Sequence, residues 1–470
     1  MKNNKSKTKR QAMGLRIKIL LLIFTILFAN CESFVEVDVP NTQLTGKVVY
    51  SDNKTAEAAL VDIYSKLRNS VLVTGDLSGI SILLGNYADE ITYYSSGSLP
   101  EEPFFQNNLL PSNTTISGIW NDSYNLIYTA NAVIEGVEES EGISETDKTK
   151  LIAEAIFVRT YIYFYLLNLF GEIPYITATD YSINATVPKM SAEILYPILI
   201  ANLNSAIKDL PANYSNSERI RPNSDVAKAL LTKIYLYSNN WSAAETTSTK
   251  IINNTATYSL QPNLDKVFLK NSLSTIWQLI PLASGMNTLE AQNFIFTSGP
   301  PPNRALSNEL INSFEVNDQR KTHWAGSVTD GSVTWYFPFK YKQNNNTASS
   351  QEYSILFRLE EIYLIRAEAR AELNQLTTSK EDLNKIRNRA GLANTTAITK
   401  SDILEAILHE RQVELFTEQG QRWFDLKRSG KLNAVLAPIK PGWNSTDQLW
   451  PLPENELLLN KNLLPQNQGY

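Results

Sequence analysis

One cysteine, two histidines and 48 carboxylates make up the chain's stock of reactive side chains. Cys31 has no second cysteine to pair with, so an intramolecular disulfide is excluded. It follows Leu27-Phe28-Ala29-Asn30, the setting of a lipobox, in which the thiol takes a diacylglycerol and the new N-terminus a further acyl chain. At about 0.8 kcal/mol per buried methylene, several chains hold a protein to a bilayer where one does not. His323 and His409 are too few for a histidine-based triad, and His409 falls inside a helical run, where a structural or surface role is expected. No Cys/His cluster has metal spacing, and neither a Gly-rich phosphate loop nor a Gly-x-Ser-x-Gly elbow occurs. No metal and no cofactor is expected. Glycosidases need only two carboxylates flanking a sugar, but the sequence sets no two of these acids at the required separation, so no catalytic residue is assigned.

The rings are more informative. Flat aromatic faces stack on sugars through dispersion and apolar contact, while Asn, Gln, Asp and Arg satisfy the hydroxyls. The irregular segments 87–105 and 294–341 hold both kinds of residue. Tyr93, Tyr94 and Trp324 sit among polar neighbours and are the candidate ligand contacts. Trp277, Trp335 and Phe337 lie in apolar, strand-like stretches and are expected in the core.

The elements that must position these residues follow from periodicity. Residues 1–30 carry Lys2, Lys5, Lys7, Lys9, Arg10, Arg16 and Lys18 and no acid, then an apolar run over 19–29. A basic start with a run that short reads as a signal peptide, since a spanning helix needs about 20 apolar residues. Without those seven cations, 36 of the 43 basic residues face 48 acids, and the net charge is near −12. Such a body argues against nucleic acid as a partner. At 43% hydrophobic and 19% charged, the rest can build a large core. Residues 31–54 read as a lipidated N-terminus and tether, 55–254 as an N-terminal helical part, and 255–470 as a C-terminal part on the same body. Helical stripes begin with Thr55 as N-cap and include Trp120, Tyr124 and Ile127, then Leu151 through Leu169, a helix apolar on nearly all sides and so central. A helix over 191–210 is expected to strain or restart at Pro197. Ser224 caps 226–238, Asn239-Asn240 turns the chain, and 243–252 completes a hairpin. Segments 70–115 and 255–350 are irregular, with strand character at 334–341.

Near the C-terminus, Ile355, Leu359, Ile362, Tyr363 and Arg366 mark one helix face, with Glu368 and Glu372 flanking a solvated side. A second helix starts at Ser379 with Asp382 in a capping-box arrangement and stops at Gly391. A third starts near Thr399 and carries Ile403, Ile407, Arg411 and Leu415; Trp423 follows and is expected in the core.

The fragments RLEEIYLIRAEARAEL (358–373), LNKIRNRAGL (383–392), ILEAILHERQVEL (403–415) and GQRWFDLKRSG (420–430), with AEAIFVRTYIYFYLLNLFGEIPYI (153–176) and the terminal WPLPE…QNQGY, resemble the SusD/RagB family of outer-membrane lipoproteins. The resemblance implies a mainly α-helical fold of tetratricopeptide-like hairpins with a loop-rich ligand-binding part. It implies a surface lipoprotein of the outer membrane, anchored through Cys31, that binds oligosaccharide or, in some relatives, peptide. It passes this cargo to a SusC-like TonB-dependent transporter and breaks no bond.

Overall fold

The computed structural model describes residues 49–470; the leader, Cys31 and most of the expected tether lie outside the described residues. The long helices, in chain order, are α1 (Asn53–Asn69), α2 (Ile80–Tyr87), α3 (Thr114–Glu138), α4 (Glu145–Phe170), α5 (Ala192–Asp209), α6 (Ser224–Tyr237), α7 (Trp241–Ile252), α8 (Leu359–Glu372), α9 (Leu376–Arg389), α10 (Lys400–Leu415) and α11 (Gln421–Arg428). Short strands are β1 (Ile91–Tyr93), β2 (Ile173–Pro174), β3 (Lys189–Met190), β4 (Thr275–Leu279), β5 (Arg304–Leu306), β6 (Ala325–Thr329), β7 (Thr334–Pro338) and β8 (Ser354–Arg358). Among the described residues they pair only as antiparallel twos: β1–β5, β2–β3, β4–β8 and β6–β7. The fold is mainly α-helical.

Consecutive helices pack as a stack of hairpins, α3 on α4, α4 on α5, α5 on α6, α6 on α7, α7 on α8 and α8 on α9 and α10. Each hairpin alone would leave an apolar stripe wet; stacking covers both sides. α4 is the centre: every residue from Phe157 to Phe170 is buried. Its apolarity, sufficient in length and composition to cross a membrane, is here turned mainly to the core. Trp277, Phe357, Trp423 and Trp450 from the C-terminal half join α1 and α3–α6 in that core.

Local signals behave largely as their chemistry requires. Thr399 caps α10 and Asp402 returns the bond, a complete capping box. Gly391 and Gly420 take φ of +81° and +68°, where only glycine is unstrained. Several boundaries differ from expectation. Asp52, not Thr55, caps α1, and Asn223, not Ser224, caps α6. Pro197 sits inside an unbroken α5, in its second turn, and Glu193, whose carbonyl loses its helical donor, is an exposed residue. Ser379 is no cap: α9 begins three residues earlier, the Ser379 hydroxyl donates to the Ala367 carbonyl at 2.6 Å, and Asp382 faces the Arg366 guanidinium at 2.6 and 2.8 Å.

The chain leaves the stack after α7 and re-enters at α8, which packs directly against α7. Residues 253–358 are therefore an excursion between two neighbouring helices. Its root is the β4–β8 ladder, and its charge anchor is a buried ion-pair lattice. Glu414 on α10 receives Arg358 at 2.6 Å, Arg389 at 2.5 Å and Arg320 at 2.9 Å. Glu418 pairs with Arg358 at 2.8 Å and with Lys340; Glu410 pairs with Arg320 at 2.7 Å and Arg387 at 3.2 Å; Asp318 closes on Arg320 at 2.8 Å. Burial alone would push the Glu414 carboxyl up, but Arg389, Arg358 and Arg320 together hold it well below the usual carboxylate range. Glu368, expected on a solvated side, belongs to a second such group, in which Arg428 joins it to Asp425 and Arg411.

Removing one partner of such a lattice strands the others. Glu414→Gln is expected to lower unfolding stability by about 3–5 kcal/mol in chemical denaturation, because three guanidiniums lose a shared counter-charge. A loss below about 1 kcal/mol, the range of exposed pairs, would show that the lattice is effectively solvated.

Candidate functional site

Tyr93 ends β1 and pairs in register with Arg304 of β5, while the Tyr94 N–H donates to the Asn303 carbonyl at 2.7 Å. The Tyr93 hydroxyl donates to the Gly97 carbonyl and accepts the Leu99 N–H at 3.2 Å, so it braces its own loop. Its half-buried ring lies 6.1 Å from that of Phe105, tilted by 32°. Tyr94 is 40% exposed and its ring is free to meet a ligand.

Trp324 corrects the sequence reading. It is fully buried, its indole N–H donates to the Leu264 carbonyl at 3.0 Å, and its ring lies edge-on to Phe268. Lys340, Arg358 and Arg389 stand 5.3–5.9 Å from its centroid, so it covers the ion lattice rather than a ligand. Its polar sequence neighbours misled: Arg320 and Trp324 are one helical turn apart on a short helix, and both point inward.

Trp277, Phe337 and Trp423 are buried as expected. Trp335 is only half-buried. It lies against Gly299 so closely that a Cβ there would overlap the indole. It is the second residue of β7, four residues beyond Gly331 in a tip built on Asp330 and Gly331. That hairpin signal was readable and argues for exposure of the strand's first residues. β5 is the common neighbour, since it pairs with β1 and packs on β7.

A buried clamp fixes this loop cluster. Arg304 grips the Glu101 carboxylate with three N–H···O contacts of 2.8–3.0 Å and donates to the Asn293 carbonyl at 2.5 Å. Segments 91–105 and 293–306 are thereby one unit. Beside it lies a cleft of about 460 Å³, bordered by Thr92, Phe105, Gln106, Asn308, Glu309 and Lys440 among others. A ring edge, amides, a hydroxyl and both signs of charge around one opening suit a polyhydroxylated ligand.

The acids nearby are committed to the fold. Asp89 receives the Arg422 guanidinium at 2.6 and 2.8 Å. Glu90 is 1% exposed and accepts the Thr417 N–H at 3.2 Å; burial, reinforced by Asp89, pushes it up to about 8. A proton held at neutral pH is a general-acid trait, yet Glu90 is not among the residues that line this cleft. A second cleft, of about 530 Å³ between α1, α4 and the 211–222 loop, has a floor in which Glu154 takes both Arg221 and Tyr64. No His/Cys/Asp/Glu group among the described residues could hold a metal ion.

Comparison with known proteins agrees with this architecture. The sequence model of the SusD family matches residues 200–470, and one described as starch-binding, associating with outer membrane, matches residues 49–236. The chain is 26% identical to SusD-like protein P2 of Formosa agariphila, over 97% of this chain and 100% of that one. Among solved structures, a SusD superfamily protein from Bacteroides vulgatus superposes with a TM-score of 0.78 at 22% identity, covering 90% of this chain and all of that one. A protein described as a laminarin binding SusD-like protein gives 0.75 at 22% identity, with the same coverage. The hairpin stack, the inward-facing charges of the C-terminal signature and the matched residues lead to one assignment: this chain is a member of the SusD family.

Proposed function

We propose that this protein binds oligosaccharide at the cell surface and delivers it to a SusC-like TonB-dependent outer-membrane transporter, without cleaving it. The observation that carries this reading is the pair of solvent-reaching rings, Tyr94 and Trp335, on a clamped loop cluster beside a cleft rimmed by amides and hydroxyls. The laminarin binding relative and a surface glycan-binding protein A from Bacteroides thetaiotaomicron, solved with laminarihexaose, support a glycan as cargo. A shallow face with a few stacked rings gives affinity in about the micromolar range, adequate where tethering keeps the effective concentration high.

Two features support the assembly. Cys31 supplies the acyl anchor that keeps the protein at the outer membrane, facing the exterior. The helix Glu454–Leu459 has no buried residue: Leu458 and Leu459 are 62% and 79% exposed, and Leu458 borders a groove with Leu110, Leu457 and Leu464. A contiguous apolar patch marks a surface built for a protein partner.

Tyr94→Ala and Trp335→Ala are each expected to weaken glycan retention roughly tenfold in affinity electrophoresis, with an unchanged melting temperature for Tyr94→Ala and a small fall for the packed Trp335→Ala, whereas Trp324→Ala lowers the melting temperature most. Full retention by both ring variants would remove this face from the site. Leu458→Asp combined with Leu459→Asp is expected to release the protein from its transporter in pull-downs; undiminished co-purification would count against the patch. Labelled palmitate is expected in the native chain and absent from Cys31→Ala; label persisting in the variant would refute the anchor.

A further inference from the structure

Lys440 borders the cleft on a loop that cannot swing. Trp443 is buried and its indole N–H donates to Asn433 Oδ1 at 2.9 Å. Gly442 lies so close to the Gln106 carbonyl that a Cβ would overlap it. Lys440 itself is only 7% exposed. Its ammonium donates to the Asn86 carbonyl at 2.5 Å and the Phe105 carbonyl at 3.2 Å, and stands 4.2 Å from the Phe105 ring centroid. Dipoles and a ring thus share this charge; among the described residues no carboxylate reaches ion-pair distance.

The charged groups around it are few. Asp89 and Glu309 act on the ammonium from beyond contact. Asp89 is already engaged by Arg422. Glu309 is exposed at the rim, where solvent screening limits its effect to under about 1 kcal/mol. Other buried lysines differ. Lys340 has Glu418 and Lys233 has Glu361. Lys427 also lacks a carboxylate, but it lines neither the 460 Å³ cleft nor the 530 Å³ one. Burial pushes Lys440 down to about 8, the sign of an ammonium short of counter-charge.

We propose that this cleft selects anionic oligosaccharides, with a sugar carboxylate or sulfate ester supplying the counter-ion that Lys440 lacks. Phe105 and the amides of Gln106 and Asn308 then border the same sugar. The inference rests on glycan capture and adds the charge class of the cargo. A charge-assisted contact in a partly dry site is stronger than a neutral one. Anion binding draws on the protonated form, so the preference is full below pH 8 and fades as pH rises through that value.

The test is calorimetric titration of the purified protein with matched tetrasaccharides, one neutral, one of uronic acid and one sulfated. At pH 7 at least one anionic probe is expected to bind about tenfold tighter than the neutral one, and which one identifies the anion. The preference is expected to be lost at pH 9.5 and in Lys440→Met, and kept in Lys440→Arg at both pH values. Equal affinity for all three probes, or a preference that survives in Lys440→Met, overturns the inference. Should Lys440→Met fail to fold, the parent's pH profile decides, and a preference undiminished at pH 9.5 overturns it. Neutral sugars that bind well and are lost in Tyr94→Ala would leave glycan capture standing and remove only this inference. Failure of every saccharide to bind would remove both.

Discussion

Three guanidiniums converge on one fully buried carboxylate, Glu414. Buried charge has to be neutralised where it stands, and this requirement ties together parts of the chain that share no local signal. Arg358 comes from the N-cap of α8, Arg389 from the end of α9, Arg320 from the excursion, and Glu410, Glu414 and Glu418 from α10 and the turn after it. The lattice says little about net stability, since well-packed apolar residues of similar volume often do as well as a buried ion pair. It is a strong statement about specificity: the excursion has one seat on the stack, because any other leaves an unpaired charge.

That seat is what makes the binding face rigid. Lys340 carries the constraint outward, from Glu418 to the strand pair β6–β7, and Trp324 covers the charges from the same side. The Arg304–Glu101 clamp then joins β5 of the excursion to the β1 loop from the N-terminal half. Loops that would otherwise wander are held at both ends by buried pairs, so the rings they present keep their spacing. The loop tip at 94–98 and the outer end of β7 escape this hold, and that is where the solvent-reaching rings are.

Periodicity made the scaffold legible. The all-round apolarity of α4 announced its place, Thr399 announced the start of α10, and the C-terminal fragments pointed to the fold. The site was less legible, for one physical reason. A pattern of charges says which face a residue is on, and not what lies opposite. Glu368 reads as the wet side of its helix and Asp382 as a cap residue, yet their partners, Arg428 and Arg366, sit on other helices. Trp324 was misplaced by the same blindness, because Arg320, Lys321 and His323 make its surroundings look polar while Arg320 is the most buried charge of its segment. Trp335 erred the other way: its apolar neighbours suggested core, although the adjacent hairpin tip already limited how deep it could lie.

The root of the excursion has a consequence of its own. β4 and β8 lie side by side, so residues 280–353 leave and return through one doorway, and the helices on either side already touch without them. A segment hung that way can be exchanged without rebuilding the stack. A substitute has to keep the doorway ladder, the cations that plug into α10 and the Arg304–Glu101 clamp, while the rest of its length and sequence is unconstrained by the helices below.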